Sequence, residues 1–263
     1  MKPSIGLTTC LRPTEDVHHR VKQMLADETI HFVYVSRQKK SIEQLHQEMG
    51  LPILVVDKRR LDLYPIGQST SFFFHPSSAV FRIKQIDAGG KDPLVAIGQL
   101  SEGMRVLDCT LGLGADAIVM SHAVGETGQV TGLESRTETA YVVKEGLQRW
   151  TESYAPITEA MRRIDVHMKH HLAFLKECPD DSFDVIYFDP MFEQTVTEST
   201  HLDPLRTLAN YESLSNAAIE QARRVARTCI ILKAHFESPL FEQYGFKRLR
   251  RKTSKLHYGV IEL

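Results

Sequence analysis

Long apolar runs are missing from this 263-residue chain. No stretch of about 18 consecutive apolar residues occurs, so a membrane span is not expected. Cysteine is scarce: Cys10, Cys109, Cys178 and Cys229 stand far apart. That spacing excludes a zinc-type cysteine pair and predicts reduced thiols in a cytoplasmic protein. An excess of one charge is missing too. Thirty-two Lys and Arg meet 33 Asp and Glu, so the net charge of −1 does not by itself announce a nucleic-acid binder. Internal repeats and low-complexity tracts are absent. Met1-Lys2-Pro3-Ser4 leads into a short strand without the apolar core of a signal peptide.

What is present alternates strand and helix, which favours a parallel sheet. Ile5–Thr9, His31–Val35 and Ile53–Val56 read as strands. Between them, Thr14 is placed to cap a helix carrying Val17, Val21, Met24 and Leu25 on one face. Ser41-Ile42-Glu43-Gln44 has the form of a capping box, with Gly50 ending that helix before Pro52. These elements predict a small N-terminal α/β module over residues 1–65. A bridging segment, 66–92, holds the aromatic stretch Phe72-Phe73-Phe74, read as a core strand ahead of an edge or substrate-facing segment. A larger α/β domain, 93–263, follows. Its strands are expected near Arg105–Cys109, Gln129–Glu134, Arg163–His167, Asp184–Asp189, Thr228–Lys233 and His257–Leu263. Gly245–Leu249 is expected to pair with the last as a C-terminal hairpin.

Two motifs carry chemistry. Arg105-Val106-Leu107-Asp108-Cys109-Thr110-Leu111-Gly112-Leu113-Gly114-Ala115-Asp116 reads as strand, glycine turn and helix start. Glycine permits close backbone approach to a ligand, and a helix N-terminus offers unpaired amides. Glu134 lies 20 residues after Gly114, where an acid can bind both ribose hydroxyls. A nicotinamide dinucleotide and an adenosyl sulfonium both fit this much, and Gly112-x-Gly114-x-x-Ala117 nearly meets the dinucleotide spacing. Asp108 and Asp116 favour the sulfonium, because two carboxylates would repel a pyrophosphate and attract an ammonium. The second motif, Asp189-Pro190-Met191-Phe192, ends a strand and has no role in hydride transfer. It suits gripping a flat, amine-bearing ring beside a cofactor. Cys109 reads as a small buried residue rather than a nucleophile.

With both motifs in this order, the chain resembles the class I S-adenosylmethionine-dependent methyltransferases. More narrowly, it resembles the bacterial small-subunit ribosomal RNA guanine-N2 methyltransferase family, which pairs an Asp-x-Thr-x-Gly-x-Gly turn with Asp-Pro-Met-Phe. The likeness spans about residues 75 to 235 and includes Arg82-Ile83-Lys84-Gln85 with Gly89-Gly90. It implies a Rossmann-like sheet, S-adenosylmethionine as cofactor, and RNA of the small ribosomal subunit as partner. Ala115 and Asp116 match the pair after the turn, and Glu134 and Ser135 the ribose-binding pair. Ala115 and Ser135 stand where arginine is common in that family. His170 and His171 fall where it has two serines near the adenine, and Asp189 directly matches a further cofactor contact of that family.

Asp189 is expected to accept one N–H of the acceptor amine, and the Pro190 carbonyl the other. That turns the nitrogen lone pair toward the sulfonium methyl, so alignment is the main contribution. Phe192 is placed to stack on the base, worth roughly 1–3 kcal/mol. Guanine N2 is the expected acceptor, with adenine N6 or a small-molecule amine as alternatives. Outside methyl transfer, a nicotinamide oxidoreductase and a catalytically silent RNA-binding protein remain. Lys247–Lys255 holds six basic residues in nine. Its Arg250 and Arg251, with Arg82 and Lys84, are the expected phosphate contacts. Arg37, Lys39, Lys40, Lys58, Arg59 and Arg60 form lesser basic clusters. His167, His170 and His171 lack metal-ligand spacing, so no metal is expected.

Overall fold

The computed structural model describes residues 4–190, 214–251 and 254–263. Phe192, the expected base-stacking residue, lies outside them. The described chain divides into two compact units, one of residues 4–75 and 136–150, the other of 76–135, 151–190 and 214–263.

The first unit is a four-stranded sheet in the order β2-β1-β3-β4. β1 is Ser4–Thr9, β2 His31–Tyr34, β3 Ile53–Val56 and β4 Leu61–Tyr64. β1 pairs in parallel with β2 and β3, and β4 runs antiparallel to β3. Helix α1 (Glu15–Leu25) buries Val17, Val21 and Met24. Leu25 is 43% exposed rather than on that face, and the Thr14 side chain makes no cap bond although it occupies the cap position. Helix α2 (Ile42–Met49) has the full capping box at Ser41 and Gln44. It ends at Gly50 with φ +62°, a left-handed conformation that glycine enters without steric cost.

Phe72–Phe74 does not form the expected core strand. Phe72 makes one isolated bridge to Leu63, while Phe72 and Phe74 are buried as anchors. A third helix of this unit, Thr137–Arg149, presents Gly146 to Phe74. A Cβ there would sit 2.1 Å from the ring. Gly→Ala inside a helix ordinarily stabilises by about 1 kcal/mol. Here Gly146→Ala should destabilise by roughly 1–3 kcal/mol through overpacking. A denaturant midpoint that rises would show that the ring yields freely.

The second unit carries a seven-stranded sheet. Its strands are β5 (Arg105–Asp108), β6 (Gln129–Leu133), β7 (Ile164–His167), β8 (Phe183–Phe188), β9 (Ala226–His235), β10 (Lys247–Leu249) and β11 (Leu256–Glu262), in the order β10-β11-β9-β8-β5-β6-β7. β5 to β9 are mutually parallel. β11 is antiparallel to β9 and makes the expected terminal hairpin with β10. Near-continuous apolar runs explain the central strands, which are covered on both faces. Val185, Ile186, Tyr187, Phe188, Ile230, Ile231 and Leu232 are all essentially buried. α3 (Ser78–Asp87) precedes the sheet, α4 (Pro93–Ile97) leads to β5, and α5 (Ala115–Val124) follows it. α6 is the Thr137–Arg149 helix of the first unit. α7 (Ala155–Arg162), α8 (His171–Glu177), α9 (Asn216–Val225) and α10 (Leu240–Gln243) complete the described helices.

The chain leaves β5 toward β6 and β7 on one side, then returns to β8 on the other. Strand order therefore reverses at β5 and β8, and in open α/β sheets that crevice beyond the strand ends takes the ligand. The register sets Asp108 against Tyr187 and Phe188 against Leu232. The next residues, Asp189 and Lys233, thus reach the same depth.

Candidate active site

The turn after β5 is built from its own polar atoms. The Asp108 side chain accepts the Thr110 N–H at 3.0 Å. The Thr110 hydroxyl accepts the Asp189 N–H at 2.6 Å, tying the end of β8 to the glycine turn. Gly112 (φ +49°) and Gly114 (φ +76°) both hold left-handed conformations that an L side chain would strain. Gly114 caps α5 without any side-chain cap bond. The first-turn amides of α5 thus face the crevice as donors, beginning at Ala115 and Asp116. Glu134 follows the end of β6, its N–H donating to the His167 carbonyl at 3.1 Å. Ser135 is exposed, and its hydroxyl donates to Glu134 Oε1 at 3.5 Å. A glycine cradle and uncapped amides as donors, with an acid at the neighbouring strand end as acceptor, form the set an adenosyl amino acid needs.

Beneath this cradle lies an ion network that the motifs do not announce. Lys233 Nζ donates to Asp116 Oδ2 at 2.9 Å and to Asp189 Oδ2 at 2.7 Å. Arg82 donates to Asp116 Oδ1 at 2.5 Å and grips Asp92 through two bonds of 2.8 and 3.0 Å. The Tyr187 hydroxyl donates to Asp116 Oδ2 at 2.8 Å. Asp92 also accepts the Leu94 and Val95 amides at the start of α4. Burial works against the charge of Arg82, but Asp92 and Asp116 outweigh it and hold the guanidinium above its ordinary range. Burial likewise opposes the Lys233 ammonium, and its two carboxylates raise it well above the usual lysine value. Asp116 is held well below the carboxylate range, since Lys233 and Arg82 overcome its removal from water. Removal from water raises Asp189, with Lys233 opposing.

These bonds bear on two expectations. Arg82, expected as a phosphate contact, has its guanidinium engaged by Asp92 and Asp116. The two-carboxylate argument against a pyrophosphate also loses its basis. Asp116 is saturated by Arg82, Lys233 and Tyr187, and Asp108 is 1% exposed with its carboxyl pushed up to about 8 by burial. Burial therefore favours the protonated form of Asp108.

That state has a measurable consequence. Unfolded, the Asp108 carboxyl titrates near about 3.9. Between that value and about 8 the folded chain keeps a proton that the unfolded chain has released, so stability falls as pH rises through this window. Asp108→Asn keeps a carbonyl for the Thr110 N–H and should remove the decline. At 1.36 kcal/mol per unit, the variant should gain roughly 3–4 kcal/mol on the wild type between about pH 5 and about pH 8 in urea melts. Parallel pH profiles would show an ionised carboxyl.

The other expected residues scatter more widely. The His170 ring accepts the Leu172 N–H at 3.2 Å and so caps α8. His171 packs its ring on Phe188 at 5.7 Å. Lys84 is exposed, its ammonium 5.9 Å from the Tyr154 ring centre. Arg250 is exposed. Arg251 lies over Tyr258 at 5.7 Å, and its backbone N–H meets His257 Nε2 at 3.3 Å. Cys109 is buried, as expected, with its thiol pushed up by burial. Sequence reasoning gives no role to Lys233 or Thr110. The signal for Lys233 is a lone charge at the end of the apolar strand Cys229–Leu232.

The family model described as "Putative SAM-dependent methyltransferase" matches residues 37–255. An uncharacterized protein of Bacillus subtilis, YpiP, is 43% identical over 256 residues, 97% of this chain and 98% of that one. The ribosomal RNA small subunit methyltransferase J of Actinobacillus succinogenes is 28% identical over 185 residues, 68% of this chain and 69% of its own. The crystal structure of a SAM-dependent methyltransferase from Neisseria gonorrhoeae superposes with a TM-score of 0.62 at 16% identity. It covers 98% of this chain and 95% of that one, a likeness of fold.

Proposed function

Because this chain belongs to the SAM-dependent methyltransferase family, we propose that it methylates an exocyclic amine of a base in RNA, guanine N2 of the small-subunit ribosomal RNA. S-adenosylmethionine is the cofactor, and the nicotinamide reading is set aside. When bound, it supplies an electrophilic methyl group on a sulfonium. Gly112, Gly114 and the uncapped start of α5 would hold its amino-acid end, and Glu134 with Ser135 its ribose. The relatives named as ribosomal RNA small subunit methyltransferase J support the RNA assignment. With it go the small ribosomal subunit as partner and the cytoplasm as place of action. Among the described residues no helix is long and apolar enough to cross a membrane.

One observation carries the acceptor chemistry. Asp189 keeps 31% of its side chain exposed, and Lys233 engages Oδ2 alone. Oδ1 has no partner among the described residues, so it is the oxygen offered to an amine N–H. The Pro190 carbonyl accepts the second N–H. Together they aim the nitrogen lone pair along one direction, which is where alignment lowers the barrier. Thr110 fixes the Asp189 backbone and Lys233 its side chain, so the acceptor pair is set before the base arrives.

The deciding experiment incubates the protein with labelled S-adenosylmethionine and small ribosomal subunits, free rRNA or tRNA, then identifies the nucleoside. Label in N2-methylguanosine of small-subunit rRNA is expected. Label in N6-methyladenosine would move the acceptor to the alternative base. Label in no RNA fraction would leave a small-molecule amine.

A further inference from the structure

We propose that the first unit carries a separate site for a phosphodiester of RNA, built from Arg20, Arg59, Arg60 and Arg149. This rests on RNA being the methyl acceptor. In the sheet order β2-β1-β3-β4 the strand order reverses a second time, between the parallel strands β1 and β3. By the same rule that locates the methyl-transfer crevice, ligands lie beyond the carboxyl ends of these strands. The turn after β3 holds Lys58, Arg59 and Arg60. Arg20, on the helix following β1, donates to the carbonyl of Asp57, the first residue past β3, at 3.5 Å. These arginines line one shallow cleft with Arg149, Trp150 and Glu145; its enclosed space of about 10 Å³ takes no more than a water, so a phosphate would sit at its mouth.

The charges in that cleft do not balance. Four guanidiniums meet two carboxylates, Glu145 in the lining and Asp62 beside Arg60. Glu145 is shared by Arg20 at 3.3 Å and Arg149 at 2.8 Å. Arg60 is paired with Asp62 at 3.1 Å and lies 3.8 Å over the Phe73 ring centre. Arg59 is exposed and makes no ion pair among the described residues. The Arg20 side chain is 11% exposed, and its buried Nε has no hydrogen-bond partner. Burial, with Arg149 nearby, holds its pKa below the ordinary guanidinium range despite Glu145. Arg20 shares its one carboxylate with Arg149 and keeps an unused donor, and the unpaired Arg59 beside it is the cation that lacks an anion. Guanidinium forks match phosphate oxygens in geometry and charge.

The test uses the full chain and rRNA extracted from small ribosomal subunits as probe. Filter retention is measured between about 50 and 200 mM salt for wild type, Arg59→Gln/Arg149→Gln and Arg59→Glu. Arg59 is exposed and breaks no ion pair of the described residues when replaced, so Arg59→Glu keeps the fold, and S-adenosylmethionine affinity serves as the folding control. The double variant should lose about tenfold in RNA affinity at the low-salt end, its salt slope smaller by about 1–2. Arg59→Glu should weaken retention as well. A wild type that methylates RNA while all three proteins give parallel slopes overturns this site and leaves the methyl-transfer reading intact. A wild type that neither methylates nor retains RNA overturns both. Calorimetry with GMP separates a free nucleotide from the RNA backbone. Heat lost in the double variant without loss of RNA retention would assign the cleft to a mononucleotide and overturn the proposal.

Discussion

Asp189→Asn should leave the protein folded and lower methyl transfer by on the order of 10²–10³, the cost of one aimed hydrogen bond in a transition state. The direction follows from Lys233. Its ammonium can only donate, so it will hold the carboxamide oxygen of the substituted side chain at the position Oδ2 now occupies. The amide NH2 then points at the acceptor amine, and two donors face each other. Asp189→Ala removes the clash and the acceptor together, and should be similarly inactive. Both variants should bind S-adenosylmethionine within a few-fold of wild type, because the Gly112–Gly114 cradle and Glu134 are untouched. Single-turnover transfer at saturating cofactor, with calorimetry as control, is the measurement. Turnover of Asp189→Asn close to wild type would remove Asp189 from the acceptor site.

Local chemistry is legible in the chain, and long-range chemistry is not. The central strands announce themselves by β-branched and aromatic runs, because a strand covered on both faces has no polar side to show. The Ser41 box and Gly50 are read from a few consecutive residues, and the structure reproduces both. β4 escapes a sequence reading because it is four residues long and follows three basic ones, so its apolar content is diluted in any window. The aromatic run at Phe72–Phe74 reads as a strand because composition reports burial before hydrogen bonding. It supplies buried rings and a single bridge. Arg82 reads as a phosphate contact because a basic stretch precedes a cofactor turn. Its partner Asp116 is 34 residues away, beyond any local pattern. Lys233 lies 44 residues from Asp189, which the register of β8 and β9 brings beside it, and 117 from Asp116 at the start of α5.

Lys233→Met should be the most destabilising single change at the site while Lys233→Arg is tolerated better. Methionine fills the volume, so the loss is electrostatic. Asp116 keeps Arg82 and Tyr187, but Asp189 loses its only charged partner among the described residues. Breaking a fully buried ion pair on one side costs about 3–5 kcal/mol, and the 31% exposure of Asp189 lets water recover part of it, so the loss should be about 2–4 kcal/mol. For a chain of this size that is a fall in melting temperature of roughly 4–16 °C. The pH dependence distinguishes this from simple packing loss. In the wild type Asp116 sits below its unfolded value, so its contribution is present above about pH 4 and is lost as pH falls further. In Lys233→Met both carboxyls move up, and protonation relieves the unpaired charge as pH falls. The gap between variant and wild type should therefore be widest near neutral pH and narrow toward about pH 4. S-adenosylmethionine, by binding only the folded chain, should raise both melting temperatures. Transfer should still fail in the variant, because an unanchored Asp189 no longer presents one oxygen in a fixed direction. A gap that stays constant from acid to neutral pH would mean that Lys233 acts by packing alone. Restored turnover at saturating cofactor would mean that Asp189 needs no such anchor.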